Sequence, residues 1–153
     1  MTIKTKIIIG LLTVLVFIQF FGFDNEIPAY EAKNDFITMM NPPAEIAQII
    51  KTSCYDCHSY ETKYPWYASV APVSWWIGDH IEDGRKHFNL STWGTYTEKK
   101  ALHKLEEFYE EVEKGEMPLS SYTILHGDAS LSPEQVSQLV TWVKSLPGVE
   151  AEH

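Results

Sequence analysis

The sequence is poor in cysteine, in arginine and in positive charge overall. Its 153 residues include two cysteines, Cys54 and Cys57, and one arginine, Arg85. Lys and Arg together number 12 against 21 Asp and Glu, so the formal net charge is −9. This charge argues against nucleic acid as a partner, because contacts to phosphate need a basic surface. The shortage of cysteine excludes a disulfide-rich scaffold.

Strand patterns and internal repeats are also lacking, whereas helical spacing is common. Four stretches carry apolar residues at three- and four-residue steps, which predicts four helices. Loops rich in aromatic residues join these stretches, so we expect an all-α domain that packs around a large apolar ligand. The first predicted helix is capped by Asn41 and ends near Ser53, and the second begins near Pro72 and is weakened or ended by Gly84. The third runs from about Glu98 to Lys114, with Thr97 or Thr95 as its cap and Gly115 after its end. The fourth begins at Ser132 and ends before Pro147.

An apolar run stands apart at the N-terminus. Residues 7–23 carry no charge, follow Lys4 and Lys6, and would span roughly 25 Å as a helix, slightly less than the hydrocarbon core of a bilayer. Lysines before such a run favour export of the following chain to the periplasm. We expect an uncleaved anchor in the inner membrane. Removal as a signal peptide, which would leave a soluble periplasmic protein, is the alternative.

The two cysteines lie in the motif Cys54-Tyr55-Asp56-Cys57-His58, and four kinds of chemistry use such a pair. A disulfide that closes so short a loop would stabilise little. A structural zinc needs a second pair of ligands, which the sequence does not supply. A thioredoxin-like dithiol opens a helix after a strand, whereas this motif follows a predicted helix. The remaining chemistry is the attachment of a c-type haem by C-x-x-C-H.

The spacing of the motif suits haem attachment. Two thiols one helical turn apart can add across the two vinyl groups at one edge of a porphyrin, and His58 is then held beneath the iron as its proximal ligand. An exported protein without other cysteines is consistent with this chemistry. We therefore predict one covalent haem c, attached through Cys54 and Cys57.

The sixth iron ligand is predicted to be Met117. Cytochromes commonly pair His with Met at the iron, and Met117 follows a predicted helix stop, precedes Pro118 and lies 59 residues after His58. A loop methionine in this position could approach the iron from the opposite face, although a methionine that merely fills the core is the alternative. His80, on the apolar side of its predicted helix, is the competing distal ligand.

Two further groups are candidates for contact with the haem. Arg85 is a candidate partner for a haem propionate, because a guanidinium pairs well with a carboxylate; a plain surface role is the alternative. Four tryptophans could wall the porphyrin or pack against one another: Trp66, Trp75, Trp76 and Trp93.

Three separated sequence blocks occur in a fixed order between residues 42 and 146. They are C-x-x-C-H-S, then "PVSWW…H…GR…FN…W", then "GEMP". In this order of blocks the chain resembles the bacterial haem-binding domain family. The resemblance implies a cytochrome c-like, all-helical domain with one haem held by Cys54, Cys57 and His58, and it places Met117 in the GEMP position. It implies no role for the middle block, which contains His80 and Arg85.

These observations divide the chain into an anchor or signal segment (1–23), a tether (24–41), a haem-binding domain (42–147) and a tail (148–153). The expected function is single-electron transfer by a membrane-tethered periplasmic monohaem cytochrome. Its acidic surface would steer it towards basic patches on redox partners whose identity the sequence does not give. The alternatives are a haem enzyme such as a peroxidase, or a haem-based sensor or binding module with a displaceable sixth ligand. An electron carrier is favoured over an enzyme.

Overall fold

The computed structural model describes residues 1–23 and 25–149, and in these ranges it contains helices and no β-strand. The predicted all-α class is therefore confirmed for the described residues. The helices are α1 (Ile3–Ile18), α2 (Phe36–Met40), α3 (Ala44–Ser53), α4 (Tyr55–His58), α5 (Val73–His87), α6 (Glu98–Glu113), α7 (Ser120–Thr123) and α8 (Pro133–Lys144). Short 3₁₀ turns occur at Ala32–Asn34, Trp66–Ser69, Leu90–Thr95 and Gly127–Ala129.

Three predicted helix ends are confirmed, and each has a local cause. The Thr97 hydroxyl accepts a hydrogen bond from the backbone N–H of Lys100 at the start of α6. Gly115 follows the end of α6 with a φ of 75°, a left-handed conformation that glycine adopts without steric cost. Ser132 and Gln135 form a reciprocal capping box at the start of α8.

Two other predicted helix boundaries are wrong. The sequence predicts Asn41 as an N-cap, but Asn41 ends α2 with a left-handed φ of 43°, and α3 begins after Pro43. The sequence also predicts that Gly84 weakens or ends its helix, but α5 continues through it to His87. The reason for a glycine here is tertiary: a Cβ at Gly84 would lie 2.9 Å from the carbonyl oxygen of Cys57. Gly84 thus allows α5 to lie unusually close to α4.

The core is built on α3, α6 and α8, with α4 packed against α5 at one side. α8 contacts both α6 and α3, and α3 leads directly into α4. The most deeply buried side chains of this core include Ile50 in α3 and Leu139 and Val143 in α8. Because α4 carries the cysteine motif, this packing fixes the motif between the main core and α5.

Residues 35–40, which the composition assigns to the tether, pack as part of the helical domain. Phe36 in α2 is fully buried, and four aromatic rings meet it edge-on at centroid separations between 4.9 and 6.4 Å. Such edge-to-face contacts add to the free energy of burial. These four rings belong to Phe88, Trp93, Phe108 and Trp142.

A buried hydrogen bond joins this segment to the cysteine motif. The Tyr55 hydroxyl donates to the Asp35 carboxylate, with its oxygen 2.9 and 3.0 Å from the two carboxylate oxygens. Asp35 also accepts from the backbone N–H groups of Ile37 and Thr38, so it caps α2. Burial and the adjacent Asp35 raise the pKa of Tyr55 well above its usual range, which keeps the hydroxyl protonated as a donor.

The helix α1 lies outside this packing, and none of its residues is buried. The chain after it is nevertheless fastened to the start of α5. The Gln19 side chain accepts from the N–H of Ala71 at 2.9 Å and donates to its carbonyl at 3.0 Å. The Trp75 indole donates to the carbonyl of Phe21. Within residues 1–23 and 25–149, no helix has both the length and the apolar character needed to cross a membrane.

We expect Tyr55→Phe to lower the free energy of unfolding by about 1–3 kcal/mol, because the buried Asp35 carboxylate loses a donor. Urea titration of the purified protein measures the change. Tyr60→Phe is the matched control, since the Tyr60 ring lies beneath the Arg85 guanidinium and its hydroxyl has no hydrogen-bond partner among the described residues. An equal decrease in the free energy of unfolding in the two variants would contradict a stabilising role of the Tyr55–Asp35 hydrogen bond.

Candidate functional site

A cavity of about 460 Å³ lies between α4, α5, α6 and the loop that follows α6. Its volume falls within the roughly 300–1,000 Å³ that is common for cofactor and ligand sites. Five of the residues predicted for the site share its lining, namely Cys54, Cys57, His58, His80 and Met117. Residues as far apart in the sequence as Cys54 and Met117 are therefore brought to one site.

The cavity has an apolar interior and several charged side chains around it. The apolar part of the lining includes Phe88, Phe108, Val112, Leu119 and Leu131. The acidic part consists of Asp79, Asp83, Glu107 and Glu111, with Lys104 and His87 as basic neighbours. Such a lining suits a large apolar ligand with polar edges.

Lys104 was not identified as a site residue from the sequence, because it stands among charged residues on a face of α6 that resembles a solvated surface. The signal that places it near the site is its helical spacing to Phe108, four residues further on, which also lines the cavity.

His58 is oriented by two backbone carbonyls of the neighbouring segment. Its Nδ1 lies 2.9 Å from the carbonyl oxygen of Phe88 and 3.1 Å from that of Gly84. Carbonyl oxygens only accept hydrogen bonds, so Nδ1 carries the proton and Nε2 keeps its lone pair. Burial lowers the pKa of His58, which further favours the neutral ring. A neutral histidine fixed through Nδ1 is the usual form of a metal-ligating histidine.

The two thiols are free and poorly ionised. Cys54 and Cys57 form no disulfide, and burial raises their pKa values to about 12 and about 11, respectively. A redox dithiol of the thioredoxin kind has the opposite property, a lowered thiol pKa. In the part of the chain that the structure describes, no group of three or more His, Cys, Asp or Glu side chains is arranged to hold a metal ion. The raised thiol pKa values do not favour a dithiol of the thioredoxin kind.

Asp56, inside the motif, links the motif to the loop beyond Met117. One Asp56 carboxylate oxygen accepts from the Tyr122 hydroxyl at 2.6 Å, and the other accepts from the backbone N–H of Lys63 at 2.9 Å. Tyr122 belongs to α7 and lines the cavity. Sequence reasoning missed this pair, because 66 residues separate its members.

Met117 lies at the end of a turn that is held to α6. Its backbone N–H donates to the carbonyl of Glu111 at 3.1 Å, as does that of Glu116 at 3.0 Å. The Met117 side chain is partly buried against the hydrophobic core and lines the cavity. The backbone that carries it is thus fixed by α6, while its side chain borders the cavity.

His80 lines the same cavity from α5. Its Nδ1 donates to the carbonyl of Trp76, one helical turn earlier, at 2.8 Å, and its ring packs against the Trp76 ring with centroids 4.2 Å apart. Its Nε2 therefore also keeps a free lone pair. Both predicted distal ligands reach the cavity, so the geometry alone does not choose between them.

Comparison with known proteins identifies the family. The model of the haem-binding domain family matches residues 13–145. The chain belongs to the haem-binding domain family. The predicted resemblance is thereby confirmed, and haem is the ligand that this family binds. No curated protein and no solved structure matches the chain.

The cavity of this family member fits a haem on chemical grounds. Cys54, Cys57, His58, His80 and Met117, which carry the thiol, imidazole and thioether groups that hold haem in proteins, all line a mainly apolar cavity. When bound, haem supplies an iron that exchanges single electrons. The residues that would hold it are Cys54 and Cys57 at the porphyrin edge and His58 at the iron.

Arg85 has another role in the structure. Its Nε donates to the carbonyl of Ser59 at 2.9 Å, and its Nη2 donates to the Thr62 hydroxyl at 2.9 Å. Arg85 thereby holds the loop that follows α4, and it is not among the residues that line the cavity. Its pairing with a haem propionate stays a prediction.

The four tryptophans differ in their exposure. Trp93 is buried in the core, whereas Trp66, Trp75 and Trp76 are exposed. None of the four lines the 460 Å³ cavity as the described residues define it.

We expect Gly84→Ala to reduce haem loading and stability, because its Cβ would meet the Cys57 carbonyl and force α5 away from α4. The carbonyls of Gly84 and Phe88 would then withdraw from His58. Overpacking of this kind typically costs about 1–3 kcal/mol. The ratio of haem absorbance to protein and the thermal unfolding midpoint measure the two effects.

Gly127→Ala is the control for this substitution, since a Cβ at Gly127 meets nothing within 4 Å and its φ is not left-handed. Normal haem loading and stability in Gly84→Ala would contradict the argument that close approach of α5 orients His58.

Proposed function

We propose that the chain is a monohaem cytochrome c that carries single electrons between exported redox proteins. The observation that carries the proposal is that Cys54, Cys57 and His58 line the same cavity. The His58 ring is fixed there through Nδ1, and its Nε2 is free. In this proposal the thiols of Cys54 and Cys57 add across the haem vinyl groups, and the fold is cytochrome c-like. An axial His with its tautomer fixed by backbone carbonyls suits an iron that changes only its oxidation state.

Met117 is proposed as the sixth ligand and His80 as the alternative. The main chain of Met117 is held by α6, and Asp56 holds the following helix through Tyr122. These contacts support a fixed position for the Met117 sulfur. A thioether ligand raises the reduction potential of the iron relative to a second imidazole.

The charge around the cavity supports docking to basic partners. Four carboxylates lie in the cavity lining, and the whole chain carries a formal net charge of −9. A negative potential at the rim of the site speeds encounter with a positively charged patch and weakens as the salt concentration rises. We propose redox partners with a basic docking face.

Attachment to the periplasmic side of the inner membrane is proposed through α1. Its apolar side chains are exposed, with none of its residues buried in the domain, and lysines precede its apolar run. A cleaved signal segment and a soluble periplasmic protein form the alternative.

A haem enzyme or sensor is the second candidate function, and one observation favours it. A smaller cavity of about 80 Å³ adjoins the first, and the two share Cys57, His80, Leu119 and Tyr122 in their linings. A small molecule in the second cavity would lie beside the proposed distal side. This function requires a sixth ligand that can be displaced.

We expect the optical spectrum of the oxidised, purified protein to be low-spin and Met117→Ala to convert it to a high-spin or altered form, because the iron loses its thioether. His80→Ala should leave the low-spin spectrum unchanged. Met39→Ala is the control for the loss of a methionine, since Met39 is exposed on α2 and does not line the cavity.

A high-spin spectrum of the unaltered protein would contradict electron transfer by a six-coordinate haem and favour the enzyme or sensor. A spectrum that changes in His80→Ala but not in Met117→Ala would move the distal ligand to His80.

A further inference from the structure

One part of the domain surface carries no charge and exposes several large apolar side chains. The fifteen residues from Tyr64 to Gly78 contain no Asp, Glu, Lys, Arg or His, although 22% of the whole chain is Asp, Glu, Lys or Arg. Within this stretch Trp66 is 80% exposed. The other large apolar side chains exposed there are Val70, Val73, Trp75 and Trp76. Contiguous exposed aromatic and aliphatic groups usually mark an interaction surface.

This surface, here called the 64–78 surface, gathers most of the exposed large apolar side chains that follow residue 27 in the described ranges. Leu125 is also exposed and lines the small cavity together with Val73 and Trp76, and Ile124 precedes it. Met39 is the exception.

The 64–78 surface surrounds the point where the chain leaves α1. Gln19 is hydrogen-bonded to both backbone groups of Ala71, and the Trp75 indole donates to Phe21. The ring of Phe23 packs on Tyr64 with centroids 5.8 Å apart. The segment that directly follows α1 therefore lies against the uncharged surface.

We propose that the 64–78 surface rests on the lipid bilayer, with its tryptophans at the level of the head groups. Tryptophan favours this interface because its ring is apolar and its indole N–H can reach polar groups. The inference rests on the proposed attachment through α1. Continuity with α1 favours a lipid surface over a soluble protein partner, because any bilayer that takes up α1 must come within reach of residues 70–76.

The distribution of charge agrees with this orientation. α5 starts at the 64–78 surface and carries the acidic cavity residues Asp79 and Asp83 further along. At 1.5 Å per residue, Asp79 and Asp83 lie roughly 9 and 15 Å along the helix from Val73. An acidic rim is repelled by anionic lipid, so seating the uncharged end on the bilayer leaves the rim of the haem cavity open to partners.

Photo-crosslinking of the full chain in vesicles of phosphatidylethanolamine and phosphatidylglycerol tests the proposal. A diazirine-bearing amino acid is incorporated singly in place of Leu12 in α1, of Trp66, or of Met39. Met39 is the control, because it is 51% exposed and its sulfur lies beside Gly94, in the turn that follows the opposite end of α5. Lipid adducts are quantified by mass spectrometry after irradiation.

We expect lipid adducts at Leu12 and Trp66 and at least tenfold fewer at Met39. Adducts at Leu12 without adducts at Trp66 would contradict contact between the 64–78 surface and lipid, and would still support attachment through α1. Adducts at Trp66 alone would support the surface and contradict attachment through α1. Absence at both positions, or equal labelling of Met39, would overturn the proposal.

Discussion

The site depends on the hydrogen bond from His58 Nδ1 to the backbone carbonyls of Phe88 and Gly84. This contact decides which nitrogen of the ring is free, and it exists only because α5 lies close to α4. The close approach in turn requires the absence of a side chain at Gly84. The glycine at position 84 therefore permits the short distance between α4 and α5, and this distance determines the tautomer of His58.

The residues of the pentapeptide Cys54-Tyr55-Asp56-Cys57-His58 have separate roles in the structure. The thiols border the cavity and His58 is oriented by α5, while Tyr55 holds the buried Asp35 and Asp56 holds Tyr122. The two residues between the cysteines thus join the motif to the segment before α3 and to the loop after Met117. Through these contacts α4, a helix of four residues, is joined to two segments that are distant from it in the sequence.

The sequence predicted the helical class, and the residues that it predicted for the site line one cavity, because both predictions depend on short-range patterns. Helical spacing and caps such as Thr97 and Ser132 are local, and C-x-x-C-H is a motif whose chemistry requires that spacing. The family match confirms the resemblance and the haem, whereas covalent attachment and the sixth ligand stay predictions.

What the sequence did not show depends on contacts between distant segments. The burial of Phe36 within a polar stretch, the role of Gly84 inside a helix and the Asp56–Tyr122 pair arise from tertiary packing, for which a single sequence carries no periodic signal. Composition likewise did not show that Trp93 would be buried and that Trp66, Trp75 and Trp76 would be exposed.

The intact mass of the protein, purified from cells that attach c-type haem and then denatured, tests the central claim most directly. The account predicts the mass of the polypeptide plus one haem, retained after denaturation because two thioether bonds hold it. The mass of the bare polypeptide, with or without the loss of two hydrogens as a Cys54–Cys57 disulfide, would contradict it.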